Sequence, residues 1–485
     1  MRHDCLSLVF ASETQEPIRS RIRYAFQVFA AIYDYRVVEA DSSEDALCCV
    51  YGDCGRRQRG SRTFHIPARY RTGKSGRVSS KTAKHRYGGE DVYLFHDVDA
   101  ATGDPDWLGE LFEWLSSSHE MQATERDSAG RIPYCESIFS QQKLSPRKPH
   151  AHLLMAWMQN SICNGNSTEA LPRARSPVPG IDHLVVCSHD IDFYYVNTSS
   201  TVTRLLKNLA ISYRPYRSWS YFASSAMLLL ALAQGKKVGH YLPSLLQASD
   251  EYGFQSSVFV VSRHGNRRDP NYRMKDLAAE LENASSRGFA VDVHGSYSSV
   301  VEAATLEIEA AALQNAMRRK PRGNRQHWLR FDRHEKLFES IEQAGLAFDS
   351  TLGFSEVAGF RNGASFAFPP YDFKRERPHN FLEIPLALMD GNIEAASRAS
   401  GERPLEIASE VLSESRKYGW GGIATLWHNP IEPISVPNEI NEVFWECVKA
   451  QNQFREKWMS AEQFMFHCLS RYQNAGLLKG VCLDA

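Results

Sequence analysis

The stretch "HLVVCSHDIDF" (residues 183–193) combines a buried-strand pattern with a group of ionisable side chains. Its apolar run, residues 184–186, is typical of a strand that is covered on both faces. Three ionisable residues follow at the predicted carboxyl end of that strand: His189, Asp190 and Asp192. Parallel α/β folds place their chemistry at such strand ends, so the stretch predicts both a buried strand and a functional site.

Strand-like and helix-like runs alternate downstream of this stretch. We expect strands at "QSSVFVVS", "FAVDVHGS", "HWLRFD", "LAFDSTLGF", "FLEIPLALMD" and "GIATLWHNP", with helices such as "MKDLAAELENASSRG" and "HEKLFESIEQAG" between them. Repeated units of this length imply parallel strands with crossover helices. Their number favours an α/β fold of the (β/α) barrel type over an open sheet.

The chain divides at a segment rich in Pro, Gly, Ser and Asn, residues 163–180, which predicts a linker. Residues 1–162 also alternate strand-like and helical runs, and predict a smaller α/β domain. The barrel would span residues 181–435, and residues 436–485 predict one or two amphipathic helices. A length of 485 residues agrees with two or three domains.

The composition excludes several classes of protein. Hydrophobic residues make up 43% and charged residues 23%, as in globular proteins, and the formal net charge is -1. No global charge attracts nucleic acid, so no nucleic-acid partner is expected. The ten cysteines show no CxxC pair, which argues against a zinc ribbon or disulfide framework and makes the cytoplasm the expected compartment. The most apolar window, residues 222–237, is too short for a membrane span.

Two features of the first 162 residues are interpreted as structural. The run at 56–86 is basic without an acid, but it has few aromatics and no helical face that organises its charge, which favours a solvated insertion loop over a nucleic-acid or lipid-headgroup patch. The segment "FHDVDA" (95–100) is similar to "SHDIDF" (188–193) yet leads into the turn "ATGDPDW". That turn can use Asp97 and Asp99 as caps, so no binding site is expected there.

Ionisable residues recur at the ends of the later predicted strands. They are His294 and Ser298 in "VDVHGSYSS", His327, Arg330 and Asp332 in "RQHWLRFD", and His428 in "LWHNP". Carboxylates and imidazoles that converge from several strands suit a divalent metal with an open position for water, together with a base and an acid.

This set resembles the polysaccharide deacetylase (NodB-homology, carbohydrate esterase family four) family, in its branch with an extra N-terminal α/β domain. "SHDIDF" is similar to the family's first motif, "HGSYSS" to the second and "LWHN" to the last. "RQHWLRFD", "GFRNG", "PPYD" and "LEIPLALMD" resemble that branch's linking segments. The resemblance covers residues 181–430, and residues 105–133 resemble the branch's N-terminal domain.

The resemblance implies a distorted (β/α) barrel of the NodB-homology type and removal of an N- or O-acetyl group from a saccharide or glycan intermediate. It implies a divalent metal, with Zn²⁺ as the expected ion, held by Asp192 and His294. Asp190 would be the catalytic base, and His428 the general acid that protonates the departing amine.

The sequence departs from the family pattern at one metal ligand. The second motif usually gives a second His four residues after the first, where this chain has Ser298, and a hydroxyl is a weaker ligand than imidazole. Either His327 from the neighbouring strand supplies the missing nitrogen, or a water molecule takes the open ligand position and the ion binds loosely. The roles of Asp190 and Asp192 stay open, because residues two apart on a strand face the same side.

Further side chains would complete the site. Either Arg330 or Arg361 would pair with Asp190 and hold it ionised. Aromatic rings near the site can stack on sugar faces; they are Phe193, Tyr194, Tyr297, Trp328, Phe354 and Tyr371.

Two other functions remain open from the sequence. One is a degenerate deacetylase domain that binds a glycan without turnover, which Ser298 favours. The other is a metal hydrolase that attacks a different non-peptide C–N bond. Metal content separates the first from a deacetylase, and substrate profiling separates the second.

Overall fold

The computed structural model describes residues 5–39, 47–53, 63–70, 82–87, 89–164, 171–192, parts of 202–234, 242–270, 272–300, 303–428 and 439–482. Phe193, Tyr194 and most of the basic run at 56–86 lie outside these residues. Within the described part of the chain, no helix combines the length and the apolar character needed to cross a membrane.

A four-stranded parallel sheet forms the centre of the N-terminal α/β unit. Its elements are β1 (Cys5–Phe10), α1 (Ile18–Ile32), β2 (Arg36–Val37), β3 (Leu47–Tyr51) and β4 (Thr63–Ile66), with the strands in the order β2-β1-β3-β4. An antiparallel pair, β5 (Ala83–Tyr87) and β6 (Glu90–Leu94), and three helices follow: α2 (Trp107–Ser116), α3 (Ile138–Gln142) and α4 (His150–Asn164). The basic run therefore contributes β4 and most of β5, so at these positions it is not the insertion loop that the sequence predicts.

A second, larger sheet consists of parallel strands. It contains β7 (His183–Asp190), β8 (Ser257–Val260), β9 (Ala290–Gly295), β10 (Gly323–Gln326) and β11 (Phe348–Asp349). After a short hairpin, β12 (Tyr371–Asp372) and β13 (Arg377–Pro378), it continues with β14 (Leu382–Glu383), β15 (Leu386–Met389) and β16 (Gly421–Leu426). The spatial order is β14-β11-β10-β9-β8-β7-β16-β15.

One short segment joins the two edges of this sheet. Strand β14 pairs with β11, whereas β15 pairs with β16, and only Ile384 and Pro385 lie between β14 and β15. The Ile384 N–H donates to Asp349, and the Pro385 carbonyl accepts from Ala424. Because the same segment contacts both ends of the row of strands, the sheet curves into a distorted barrel, which confirms the predicted fold class.

Helices cover the outside of the barrel. They are α5 (Leu242–Tyr252), α6 (Met274–Ser286), α7 (Ala303–Met317), α8 (His334–Gln343), α9 (Asp390–Ser400) and α10 (Pro404–Tyr418). Helix α8 is representative, because Leu337, Phe338 and Ile341 recur at helical spacing and are buried. The alternation of strands and helices agrees with the sequence pattern.

The prediction of a strand at "HWLRFD" (residues 327–332) is wrong, because the strand lies directly before this segment. The strand is β10, residues 323–326, and residues 327–329 form a 3₁₀ turn instead. Trp328 and Leu329 both adopt left-handed backbone angles, with φ of 66° and 50°. All four residues of β10 are buried, but they are Gly, Asn, Arg and Gln, so no apolar run marks this strand.

The C-terminal segment contains a strand as well as the expected helices. Between α11 (Glu439–Lys449) and α12 (Ala461–Asn474) lies β17 (Glu456–Met459), which pairs in parallel with the first half of β7. The buried Glu456 carboxylate is 2.6 Å from Nδ1 of His183 and accepts from Arg416 at 2.8 Å and from the Trp458 indole at 2.7 Å. One carboxylate therefore connects β7, β17 and α10.

Replacing Glu456 by Gln is expected to lower the free energy of unfolding at pH 7 by about 3 kcal/mol. Burial raises the pKa of Glu456, but His183 and Arg416 lower it from 4.5 to about 2. Stability from this group is therefore present above about pH 4.5 and is lost as the pH falls toward 2. Urea unfolding across pH checks this. An equal loss in Glu446→Gln, which removes an exposed carboxylate 3.6 Å from Lys449, would contradict it.

Candidate metal and catalytic site

Ionisable side chains follow five neighbouring strands at the carboxyl end of the barrel. They are Asp190 and Asp192 from β7, Asp269 from the loop after β8, His294 in β9, His327 after β10 and His428 after β16. Parallel strands present their carboxyl ends to one side, so the topology brings these residues together although up to 238 positions separate them.

Three of these residues form a candidate metal centre. Asp192, His294 and His327 each offer a ligand atom, and the three atoms lie within 4.8 Å of one another. Asp192 Oδ1 is 3.4 Å from Nε2 of His294 and 3.3 Å from Nε2 of His327. This carboxylate oxygen is buried without a hydrogen-bond partner among the described residues. Two imidazole nitrogens and a carboxylate oxygen are a donor set that fits zinc and similar divalent ions.

The histidines are oriented by groups behind them. Nδ1 of His294 lies 2.7 Å from the Arg325 carbonyl, so Nδ1 carries the hydrogen and Nε2 presents its lone pair to the cluster. Nδ1 of His327 faces Asp269 Oδ1 at 3.5 Å. Metal-binding histidines in proteins commonly have a carbonyl or carboxylate behind them in this way.

Electrostatics in the cluster favour charged forms of Asp269 and His327. Burial raises the pKa of Asp269, but the contact with His327 and three backbone N–H groups lower it to about 2. Burial lowers the pKa of His327, but Asp192 and Asp269 raise it to about 9. Burial also raises the pKa of Asp192, yet the facing imidazoles hold it well below its ordinary value.

Asp190 lies beside the three candidate ligands and pairs with a buried arginine. Arg325 Nη1 donates to Asp190 Oδ1 at 3.0 Å, and Arg325 is itself held by Ser188 and Ser350. The prediction that Arg330 or Arg361 makes this pair is therefore corrected. With Oδ1 bound to the guanidinium, Asp190 Oδ2 faces the cluster, 3.6 Å from Nε2 of His294.

His428 lies on the other side of Asp192. Its Nε2 is 3.5 Å from Asp192 Oδ2, and its Nδ1 is 2.8 Å from Asp390 Oδ1. The His428 backbone N–H also donates to Asp390, at 2.9 Å. Burial lowers the pKa of His428, but Asp390 and then Asp192 raise it to about 10. The ring is therefore placed to hold a proton on the nitrogen that faces the cluster.

Three predicted site residues lie elsewhere. Arg361 is buried and pairs with Glu120, with Nη2 2.9 Å from the carboxylate. Phe354 is buried against Tyr134 and Phe139, and the ring of Tyr371 packs on Tyr24, so neither presents a ring face to a sugar. These rings contribute to the hydrophobic core, which corrects their assignment to substrate binding.

Other predicted residues lie at the rim of the site. Trp328 is 46% exposed, and its ring centroid is 6.0 Å from that of His327. Tyr297 packs against the Arg330 guanidinium at 4.2 Å and donates from its hydroxyl to the Ala129 carbonyl of the N-terminal unit. Ser298 makes no side-chain hydrogen bond to the described residues.

The two similar segments differ in their surroundings. In "FHDVDA", Asp99 Oδ1 accepts from the N–H groups of Ala101 and Thr102, which confirms its role as a turn cap. In "SHDIDF", Nδ1 of His189 donates to the Trp427 carbonyl at 2.7 Å, and burial lowers the pKa of His189 to about 4. His189 is therefore a neutral structural residue that connects β7 to β16.

Sequence reasoning missed three residues of the site. Arg325 and Asp390 belong to the segments that carry the family resemblance, but nothing in their sequence context indicates a role in the site. Asp269 lies in the loop "RHGNRRDP", where neither hydrophobic periodicity nor a motif singles it out. The contact that identifies Asp269, its carboxylate behind the His327 ring, is visible only in the structure.

Several solved structures to which this chain is similar carry the description polysaccharide deacetylase, and two describe a pseudoenzyme of the same family. A Mycobacterium smegmatis protein assigned to that class is 18% identical, with 65% of this chain and 99% of that one covered and a TM-score of 0.38. A Pseudomonas aeruginosa PAO1 protein assigned to the same class is 13% identical, with 60% of this chain and 93% of that one covered and a TM-score of 0.40. Bc1974 from Bacillus cereus is 10% identical, with 57% of this chain and 91% of that one covered and a TM-score of 0.30. No protein-family model matches the sequence, and no curated protein matches it.

Proposed function

We propose that this protein is a metal-dependent deacetylase that hydrolyses an acetyl group of a saccharide or glycan intermediate. The observation that carries the proposal is the convergence of Asp192, His294 and His327, where the buried Asp192 Oδ1 faces both imidazoles and makes no hydrogen bond to the described residues. A divalent ion, which these three residues would hold, would supply Lewis acidity toward an acyl carbonyl and water.

Asp190 is the proposed base. Its Oδ1 is occupied by Arg325, so Oδ2 is the acceptor available for a proton from an attacking water. The buried guanidinium fixes the carboxylate, which therefore needs no reorientation before it accepts the proton. In this assignment Asp192 is the metal ligand, because it faces both histidines.

His428 is the proposed acid. An amine leaves poorly unless it receives a proton, and His428 holds one on Nε2 while Asp390 holds Nδ1. Trp328 beside His327 offers an exposed ring on which a sugar face can stack. The family resemblance of the motifs around these residues supports a saccharide as the substrate.

Metal content and acetate release test the proposal in one set of variants. The purified chain should bind about one divalent ion, and His327→Ala should bind it at least tenfold more weakly, because one of three ligands is lost. Ser298→Ala, which alters the position that holds a second His in the family motif, should keep the ion. Elemental analysis and calorimetric zinc titration measure this.

Two results would contradict the assignment of Asp192, His294 and His327 as metal ligands. If the wild-type chain binds no ion after supplementation, or if Ser298→Ala loses it while His327→Ala keeps it, the assignment fails. An ion without acetate release from any acetylated saccharide would instead favour hydrolysis of another C–N bond, which formamides and cyclic amides would test.

A further inference from the structure

Two arginines at the rim of the site stack on one tyrosine ring. The guanidinium carbons of Arg268 and Arg330 lie 4.6 and 4.2 Å from the ring centroid of Tyr297. Arg268 also lies 5.8 Å from the centroid of Trp328. We call Arg268 and Arg330 the arginine pair.

The arginine pair has only neutral partners in the described part of the chain. Arg268 donates to the Tyr297 hydroxyl at 2.5 Å and to the Ser128 carbonyl at 3.0 Å. Arg330 donates to the Tyr297 carbonyl, and its buried Nε has no hydrogen-bond partner among the described residues. Each guanidinium has five N–H donors, so both keep donors for a further acceptor.

Neighbouring acids are already engaged. Asp127 pairs with Arg131 at 2.7 Å, and Asp332 with Arg126 at 3.1 Å. Asp269 is held by His327 and by backbone N–H groups. The loop before Asp269 adds two more exposed arginines, Arg263 and Arg267. The arginine pair therefore adds positive charge at the rim that no acid among the described residues pairs with, although the whole chain has a formal net charge of -1.

The arginine pair is close to the candidate metal centre. Asp269 Oδ1 lies 3.5 Å from Nδ1 of the ligand His327 and accepts from the Tyr297 N–H at 2.7 Å. The Asp269 carboxylate therefore links Tyr297, on which the arginine pair stacks, to the candidate ligand His327. Trp328, the exposed ring proposed to contact a sugar, is near both groups: its ring centroid lies 5.8 Å from the Arg268 guanidinium carbon and 6.0 Å from the His327 ring centroid.

We infer that the substrate carries an anionic group, a carboxylate or a phosphate, which the arginine pair binds beside Trp328. This inference rests on the proposed function and adds the chemical class of the saccharide. Guanidinium groups bind both kinds of anion through paired N–H donors, and neither Arg268 nor Arg330 is neutralised by an acid among the described residues. The N-terminal unit takes part, because Ser128 and Ala129 hold Arg268 and Tyr297 in place.

The test measures how three related probes bind to the full, metal-loaded chain. They are the neutral N-acetylglucosamine and two charged derivatives, its 6-phosphate and the corresponding uronic acid. Binding is measured by calorimetry and turnover by acetate release. We expect at least one charged probe to bind about tenfold more tightly than the neutral one, and its affinity to fall with salt. Arg268→Gln should remove about that factor for the charged probe and leave the neutral probe within twofold.

Controls separate this inference from a structural role and from the proposed function. Arg273→Gln removes an exposed arginine that pairs with Asp276 outside the rim, and should change nothing. Arg330→Gln should act like Arg268→Gln. Equal affinity for neutral and charged probes, or equal losses for both in Arg268→Gln, would overturn the inference even if acetate is released. Arginine-dependent binding of a charged probe without acetate release would support it while the proposed function fails.

Discussion

Replacing Asp190 by Asn is expected to lower kcat/KM for an acetylated saccharide about a thousandfold and to leave the metal content unchanged. The amide keeps the shape of the side chain and can still accept from Arg325, but it cannot take a proton from water. Asp192→Asn should behave differently, because that carboxylate faces His294 and His327 and its loss should release the ion. Kinetics and elemental analysis of the two variants assign their roles.

The similar segment in the N-terminal unit offers a matched control. Asp97 occupies the position in "FHDVDA" that Asp190 has in "SHDIDF", and it is exposed. Asp97→Asn should leave both activity and metal content unchanged. If Asp190→Asn loses the ion while Asp192→Asn retains it, the two roles are reversed. If Asp190→Asn retains full activity, the proposed base is wrong.

Replacing Glu120 by Gln should destabilise the protein by about 4 kcal/mol at pH 7. The Glu120 carboxylate is buried and lies 2.9 Å from Nη2 of Arg361 and 3.2 Å from Nε2 of His334. Burial raises the pKa of Glu120, but Arg361 and then His334 hold it well below the usual range. The variant leaves a buried guanidinium without its counterion, which is the reason for the large loss.

Denaturant unfolding at several pH values measures this effect. Because the folded-state pKa of Glu120 is depressed, the difference between wild type and Glu120→Gln should be full above about pH 4.5 and should shrink in acid. Asp332→Asn is the control, because it breaks a more exposed contact between the same two parts of the chain, Arg126 to Asp332. A loss above about 1 kcal/mol in that control would contradict the argument from burial.

The barrel could be predicted from the sequence because most of its strands are apolar. Strands β7, β8 and β16 carry continuous buried apolar runs, and they were located within a few residues. Strand β10 has the opposite character, since its buried side chains donate hydrogen bonds: Asn324 to Asp349 of β11, Arg325 to the Ser350 carbonyl after β11, and Gln326 to the Gly295 carbonyl of β9. Hydrophobic periodicity cannot detect a strand stabilised in that way, so the sequence pattern places the strand in the more apolar segment "HWLRFD" instead.

The candidate site followed a similar division. Asp192, His294 and His327 could be proposed because each directly follows or ends a strand, and strand ends share one side of the barrel. The partner of Asp190 could not be predicted, because the choice among Arg325, Arg330 and Arg361 depends on which side chain points into the barrel. Aromatic residues posed the same difficulty, since the sequence around Trp328 at the rim and Phe354 in the core does not show which of the two rings is buried.

The pairing of β7 has a consequence for the order in which the protein can fold during synthesis. The first half of β7 pairs with β17, and His183 is 273 residues away from its partner Glu456. At about 5–20 residues per second, a ribosome would complete β17 roughly 15–50 seconds after β7. During that interval the apolar strand has an open edge, which favours association with other chains. We therefore expect chains that end before residue 421, which lack both β16 and β17, to aggregate rather than fold.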